Sequence, residues 1–83
     1  MKKILLDSRE MAHPLPFQLA MQHLKEMKEN DYLHMVNNKK PTPLLAMLDE
    51  KGFTHLEHLD EQETWHILIS KNSTVNLESL LNV

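Results

Sequence analysis

The stretch of the sequence best suited to chemistry is a histidine beside two prolines, His13-Pro14-x-Pro16. Proline is tolerated in the first turn of a helix, because the amide hydrogen it lacks would have no intrahelical partner there. The stretch therefore predicts that a helix begins beside His13. Unpaired N–H groups and the helix macrodipole collect partial positive charge at such an end. The position favours a bound anion and disfavours an imidazolium.

A second polar stretch, Asn37-Asn38-Lys39-Lys40, also precedes a predicted helix, for which Thr42 is the expected N-cap and Pro43 the first helical residue. Both helices are expected to start beyond the carboxyl ends of parallel strands, which is the usual ligand crevice of such sheets. Side chains from the two stretches should converge there. The candidate anion-binding or partner-binding residues are Arg9, His13, Asn38, Lys39, Lys40 and Thr42.

The six histidines raise two further possibilities, general-base catalysis and metal binding. A neutral imidazole at His13 could accept a proton, but no nucleophile or orienting carboxylate can be assigned beside it. His55 and His58, three apart on a predicted strand, should point to opposite faces. His34 and His66 could approach each other across neighbouring strands, although two imidazoles make a weak metal site. We therefore predict no catalytic residues, no metal site and no cofactor, with His34 and His66 as the one pair that could hold a metal.

The apolar pattern predicts which elements position these residues. Lys3–Leu6 forms a short apolar run typical of a buried strand, and a helical stripe begins at Phe17. Strand Tyr32–Val36 follows, then a helix that ends at Gly52. Two strands, 53–59 and 64–70, are joined by an acidic hairpin turn at 60–63. We interpret the charges of this turn as discouraging aggregation of the strands beside it.

This order, β-α-β-α-β-β, predicts an α+β two-layer sandwich with both helices on one face of a four-stranded mixed sheet. Residues 1–71 form the predicted domain, and residues 72–83 form a C-terminal tail with the apolar spacing of a short helix. The other sheet face is left open and should carry Tyr32 and Leu68. The tail could cover that face, or a second copy of the chain could pair with it as a homodimer.

Composition narrows the classes of partner. The 83-residue chain has a net charge of −3 and a single arginine, so a nucleic acid is not the expected partner. It has no apolar run of the roughly 20 residues that a membrane span needs. Lys2 and Lys3 are followed by only three apolar residues, which is too few for a secretory signal, and a cytoplasmic location is expected. The absence of cysteine excludes thiol chemistry in this chain.

The pattern Leu6-Asp7-x-Arg9-x-Met11-x-His13-Pro14-x-Pro16, followed by the helix from Phe17, resembles the signature segment of the TusA/SirA-like sulfur carriers. In that family a Cys-Pro-x-Pro motif carries a persulfide, and His13 stands at the position of the cysteine. Pro43-Leu44, Gly52-Phe53 and Trp65 are similar to an uncharacterised, cysteine-lacking branch of the same family. Glu10 departs from the glycine that is common in those proteins.

The sequence therefore predicts a small non-enzymatic binding or adaptor module on this scaffold, with a protein partner or a small anion as its ligand. The sulfur-transfer activity of that family is not expected for this chain, because none of its residues can form a persulfide. The alternative is a metal-handling protein or remnant enzyme centred on histidine. The resemblance implies a connection with sulfur or respiratory metabolism.

Overall fold

A computed structural model describes residues 1–81 of the chain. Its elements, in chain order, are β1 (Lys3–Asp7), α1 (Leu15–Glu26), β2 (Tyr32–Asn37), α2 (Thr42–Lys51), β3 (Thr54–Leu59), β4 (Trp65–Ser70) and a 3₁₀ helix, η1 (Leu77–Leu80). The sheet order is β1-β2-β4-β3. β1 and β2 are parallel, whereas β4 pairs antiparallel with both β2 and β3. The predicted α+β architecture is confirmed.

Both helices pack on one face of the sheet and enclose the main core. The predicted stripe of α1 supplies Ala20 and Leu24, and Leu44, Leu45 and Leu48 of α2 are all buried. Leu33 and Met35 of β2, with Ile67 and Ile69 of β4, meet them from the sheet. α2 ends at Gly52, whose φ of 78° is the left-handed conformation that glycine adopts without strain. No helix within residues 1–81 is long and apolar enough to cross a membrane.

β1 differs from its prediction as a buried strand. It lies at the edge of the sheet and alternates, with Leu6 buried and Leu5 59% exposed. The short apolar run cannot distinguish the two cases, because a three-residue run fits either a central strand or an edge strand with one face on the core.

The face away from the helices, which we call the open face, carries the second side-chain set of each strand. Its residues are Lys3, Leu5 and Asp7 of β1, Tyr32, His34 and Val36 of β2, His66, Leu68 and Ser70 of β4, and Thr54, Leu56 and His58 of β3. The register leaves His55 on the helix side, so His55 and His58 do point to opposite faces. Trp65, Ile67 and Ile69 point to the helices, as predicted.

The C-terminal tail folds back onto the open face. η1 buries Leu77 against Tyr32 and Leu68, and Val75, Leu80 and Leu81 pack around this second cluster. Asn76 caps η1 by accepting a hydrogen bond from the Glu78 amide. Residues 82 and 83 of the predicted tail lie outside the described residues. The tail thus covers the two apolar residues that the sequence assigned to the open face.

Candidate functional site

The starts of the two helices lie side by side and form the walls of one cleft. This edge cleft has a volume of about 530 Å³ and contains both polar and apolar side chains. Of the predicted site residues it brings together Arg9, His13, Asn38, Lys39 and Lys40. The apolar part of its lining includes Met11, Pro16, Phe17, Met35, Pro41, Pro43 and Leu44.

Arg9 is anchored before any ligand arrives. Its guanidinium donates two hydrogen bonds to the Asp7 carboxylate, of 2.9 and 2.7 Å, and its main-chain amide donates a third. These bonds lower the pKa of Asp7 to about 2, with the side-chain bond from Arg9 as the largest cause. The Asn38 side chain donates to the Arg9 carbonyl at 2.6 Å and ties the two walls of the cleft together. Asp7 thus neutralises Arg9 at the rim.

The two lysines carry the remaining positive charge of the cleft. Lys39 is exposed, and its main-chain carbonyl accepts a bond from the Asn37 side chain at 2.8 Å. The Lys40 ammonium lies 5.5 Å from the centre of the Trp65 ring, within the range of a cation–π interaction. Trp65 is the only tryptophan in the chain. Its fluorescence is therefore a direct reporter of changes at Lys40.

The helix starts offer fewer free amide groups than the sequence indicated. Pro16 and Pro43 carry no N–H, and the Leu15 and Thr42 amides are used in turns, donating to the Ala12 and Lys40 carbonyls. Within residues 1–81, the Phe17 and Leu44 amides have no hydrogen-bond partner. Both residues line the cleft, so each helix start has one unpaired main-chain donor on a cleft residue.

Thr42 is not the N-cap of α2 that the sequence predicts. It is the first residue of α2, the preceding position is Pro41, and no side chain caps the helix. The cleft is lined by its neighbours Pro41 and Pro43. The sequence Pro41-Thr42-Pro43 does not decide where α2 begins, because a proline is tolerated at either of the first two helical positions. Either Pro41 or Thr42 could therefore have been the capping residue.

His13 is exposed at the mouth of the cleft, next to the cis peptide bond that precedes Pro14. Asp7, the carboxylate nearest to it in sequence, is committed to Arg9. No described residue makes a hydrogen bond to the His13 ring that would orient it as a general base.

His34 and His66 meet on the open face. His34 Nε2 lies 2.9 Å from His66 Nδ1, and His66 Nε2 lies 2.8 Å from Asp60 Oδ2. The two ring centres are 5.2 Å apart, which exceeds the 2.9 Å distance between the facing nitrogens by about one ring diameter. The two rings therefore point these nitrogens directly at each other. This is hydrogen-bond geometry and leaves no space for an ion between the nitrogens. In the described part of the chain, no group of three or more His, Cys, Asp or Glu side chains could hold a metal ion.

The acidic turn at 60–63 has a structural role that its sequence did not indicate. Asp60 Oδ1 accepts hydrogen bonds from the Gln62 and Thr64 amides, while Oδ2 faces His66. The bond from His66 is the largest cause of a lowered pKa for Asp60. A carboxylate that begins a tight turn next to a histidine-bearing strand is the signal that could have identified it.

The comparisons with known proteins agree with this fold. Residues 5–71 match the family described as "Uncharacterized conserved protein (DUF2249)". The fold is similar to the crystal structure of a SirA-like protein from Desulfitobacterium hafniense, with a TM-score of 0.73 and 15% sequence identity, over 83% of this chain and 97% of that chain. No curated protein sequence matches the chain. The chain, a SirA-like fold with histidine at the mouth of its edge cleft, belongs to the DUF2249 family.

Proposed function

We propose that this protein is a non-enzymatic binding or adaptor module whose edge cleft receives an anionic group, carried by a protein partner or a small molecule. The observation that supports this function best is the concentration of positive charge at the cleft of a chain with net charge −3. Arg9, Lys39 and Lys40 all line it, and only Arg9 has a carboxylate partner among the described residues. Two exposed ammonium groups then attract an anion from solution.

The free main-chain amides at the two helix starts would orient a bound anion. Phe17 and Leu44 come from two different helices, line the same cleft and have main-chain N–H groups without a partner among the described residues. Both helix macrodipoles place their positive ends there. Such ends bind phosphate, sulfate and carboxylate groups in many proteins. An anion between them would accept main-chain hydrogen bonds while the lysine side chains neutralise its charge.

The apolar lining narrows the ligand further. Met11, Phe17, Met35 and Leu44 give the cleft a hydrophobic wall beside its cations. A fully hydrated inorganic ion would leave that surface unused, whereas a carboxylate attached to an apolar group would cover it. An acidic side chain within a hydrophobic segment of a partner protein has this chemistry.

The finer family relationship belongs to the same proposal. We place the chain in a cysteine-lacking branch related to the sulfur carriers, with the edge cleft retained as a docking site after loss of the thiol. Persulfide chemistry is not part of this function, because the chain contains no cysteine. A cytoplasmic location and a connection with sulfur or respiratory metabolism stay predictions. The alternative of a histidine-centred metal-handling protein has less support, since the described residues contain no cluster of three metal-binding side chains.

A homodimer through the open face also has less support than the sequence indicated. The expectation rested on Tyr32 and Leu68, and η1 covers both. Leu5 is the large apolar residue of that face that stays exposed. Sedimentation velocity over a hundred-fold range of protein concentration tests this directly: a monomer throughout agrees with the covered face, and a concentration-dependent dimer that Leu5→Asp disrupts would restore the interface.

The binding function is tested by titrating the ¹⁵N-labelled protein with phosphate, acetate and benzoate, while Trp65 fluorescence is followed in parallel. We expect chemical-shift changes confined to residues 9–17 and 37–44, and tighter binding of benzoate than acetate because of the apolar wall. Replacing Lys39 or Lys40 by Gln should weaken binding roughly two- to five-fold each, the scale of an exposed ion pair.

Lys51→Gln is the matched control, because it removes the same charge at the opposite end of α2. Its affinity for each anion should equal that of the unmodified protein. Equal losses in all three variants would show a general charge effect, and the absence of localised shifts with every anion would refute the site.

A further inference from the structure

We propose that Asp60, His66 and His34 form a proton-operated relay that decides whether the open face presents a hydrogen-bond acceptor or a donor at His34 Nδ1. The relay is a continuous chain of two hydrogen bonds, of 2.8 and 2.9 Å, from the hairpin turn to the middle of the sheet. His34 and His66 are 7% and 8% exposed, so both rings are largely shielded from water. This device is independent of the edge cleft.

The direction of the chain follows from Asp60. Its carboxylate can only accept, so His66 Nε2 carries a hydrogen. In a neutral imidazole the other nitrogen is then an acceptor, and His66 Nδ1 receives the Nε2 hydrogen of His34. His34 Nδ1 is left without a hydrogen. The carboxylate in the turn therefore determines the tautomer of a ring two hydrogen bonds away.

The free end of the relay reaches solvent. No described residue bonds to His34 Nδ1, yet the described chain has no fully buried side-chain nitrogen or oxygen without a partner. This nitrogen is therefore accessible on the open face. It lies on β2 directly opposite Leu5, which is 59% exposed on β1. The neutral protein offers one acceptor beside an apolar side chain.

Uptake of one proton reverses this polarity. With both ring nitrogens protonated, His66 donates to Asp60 and to His34 Nε2, and His34 must then carry its hydrogen on Nδ1. If the proton stays on His34, Nδ1 is protonated as well. Every singly protonated form thus presents a donor on the open face. A second proton would set two N–H groups head to head across 2.9 Å, so the pair takes up only one.

Burial and nearby positive charge disfavour a proton on His34, and a carboxylate lies at the Asp60 end of the relay. Burial, the nearby Lys3 and His66 lower the pKa of His34 to about 4, whereas His66 faces a carboxylate. The titratable and charged groups on the open face and on the elements packed against it are Lys3 and Asp7 on β1, Tyr32 on β2, His58 on β3, Asp60 in the turn and the exposed Glu78 of η1. The His58 ring centre lies 6.2 Å from that of His66, so His58 must be separated experimentally.

The experiment is a pH titration from 8 to 4.5 that reads the imidazole ¹⁵N and ¹³C shifts of the full chain by NMR. We expect His34 to be the Nε2–H tautomer at pH 8 and the Nδ1–H tautomer after a single proton uptake shared by the two rings. An Nδ1–H tautomer of His34 already at pH 8, or two independent one-proton titrations of His34 and His66, would overturn the relay.

Asp60→Asn provides a second, sharper test at constant pH. The turn amides of Gln62 and Thr64 hold the side-chain oxygen at the Oδ1 position, which places the amide NH₂ against His66 Nε2. The substitution should therefore lock His34 in its Nδ1–H form at pH 8. Glu61→Gln removes an equal charge from the same turn, and His58→Gln removes the neighbouring ring; both should leave the tautomer of His34 unchanged. An unchanged tautomer in folded Asp60→Asn refutes the proposal, and the titration of the unmodified protein stands if this variant does not fold.

Discussion

The docking of the C-terminal tail can be tested by replacing Leu77 with alanine. Leu77 is 5% exposed and packs against Tyr32 and Leu68 on the open face. The substitution removes three buried carbons, each worth about 0.8 kcal/mol of transfer free energy, or about 2.4 kcal/mol together. Because η1 lies on the surface of the sheet and can shift into the space, the cavity adds little, and we expect a loss of about 2–3 kcal/mol in the free energy of unfolding. The loss is limited by the free energy with which the tail docks.

Urea unfolding followed by circular dichroism measures this loss, with Leu5→Ala as the control on the same face. Leu5 is mostly exposed, so its truncation should cost less than about 1 kcal/mol. Hydrogen exchange at Tyr32 and Leu68 should also accelerate in Leu77→Ala. Equal stability losses for the two variants would show that η1 does not pack on the sheet. The family match ends at residue 71, so the result also decides whether the tail stabilises the shared domain.

Three further predictions concern single residues. Burial opposes the charge of His55, but hydrogen bonds to Asp49 and Glu57 outweigh it and raise its pKa. The stability that protonated His55 contributes is therefore fully present below its ordinary pKa of 6.5, and it is lost as the pH rises through the raised pKa of the folded protein. The urea midpoints of the unmodified protein and His55→Gln should accordingly converge with increasing pH. Gly52→Ala should lower the free energy of unfolding by about 1 kcal/mol, because the φ of residue 52 is 78° although no atom blocks the added carbon. Gly52→Asn should lower it less, since asparagine tolerates the left-handed conformation better. Urea unfolding compares the two variants, and equal losses would contradict this conformational explanation. Ser8→Ala should cost about 1–2 kcal/mol in the same assay, since the fully buried hydroxyl donates to a β2 carbonyl at 2.8 Å; a neutral effect would argue against that bond.

The parts of the fold that the sequence predicts well are those with a repeated pattern. The stripe from Phe17 to Met27 recurs at helical spacing, and the alternation of Trp65, Ile67 and Ile69 indicates which side of β4 is buried. In both elements several residues independently indicate the same buried face. The convergence of the two helix starts also follows from topology, because parallel neighbours end at the same edge.

Features that depend on a single residue or on a distant contact could not be predicted in this way. The edge position of β1 depends on which strands pair, and β4 enters the sheet between β2 and β3. The charge of Arg9 is reduced by Asp7, although nothing in the spacing shows that their side chains pair rather than face a ligand. The role of Asp60 requires a strand register that brings His66 within reach of His34.

The edge cleft and the relay lie near each other at one end of the sheet, and single substitutions should nevertheless separate their properties. Asp60 lies close enough to Arg9 to contribute to a raised pKa of the guanidinium, after the larger effect of Asp7. Removing the Asp60 charge should therefore strengthen anion binding in the cleft, although by less than about two-fold, because exposed charges at this range are largely screened at physiological salt. Asp60→Asn combines this small change in affinity with a complete change in the tautomer of His34, whereas Lys39→Gln should weaken anion binding and leave the tautomer intact. A changed tautomer of His34 in Lys39→Gln, or a change in anion affinity well above two-fold in Asp60→Asn, would show that the cleft and the open face are parts of one site, and the assignment of separate roles to them would be wrong.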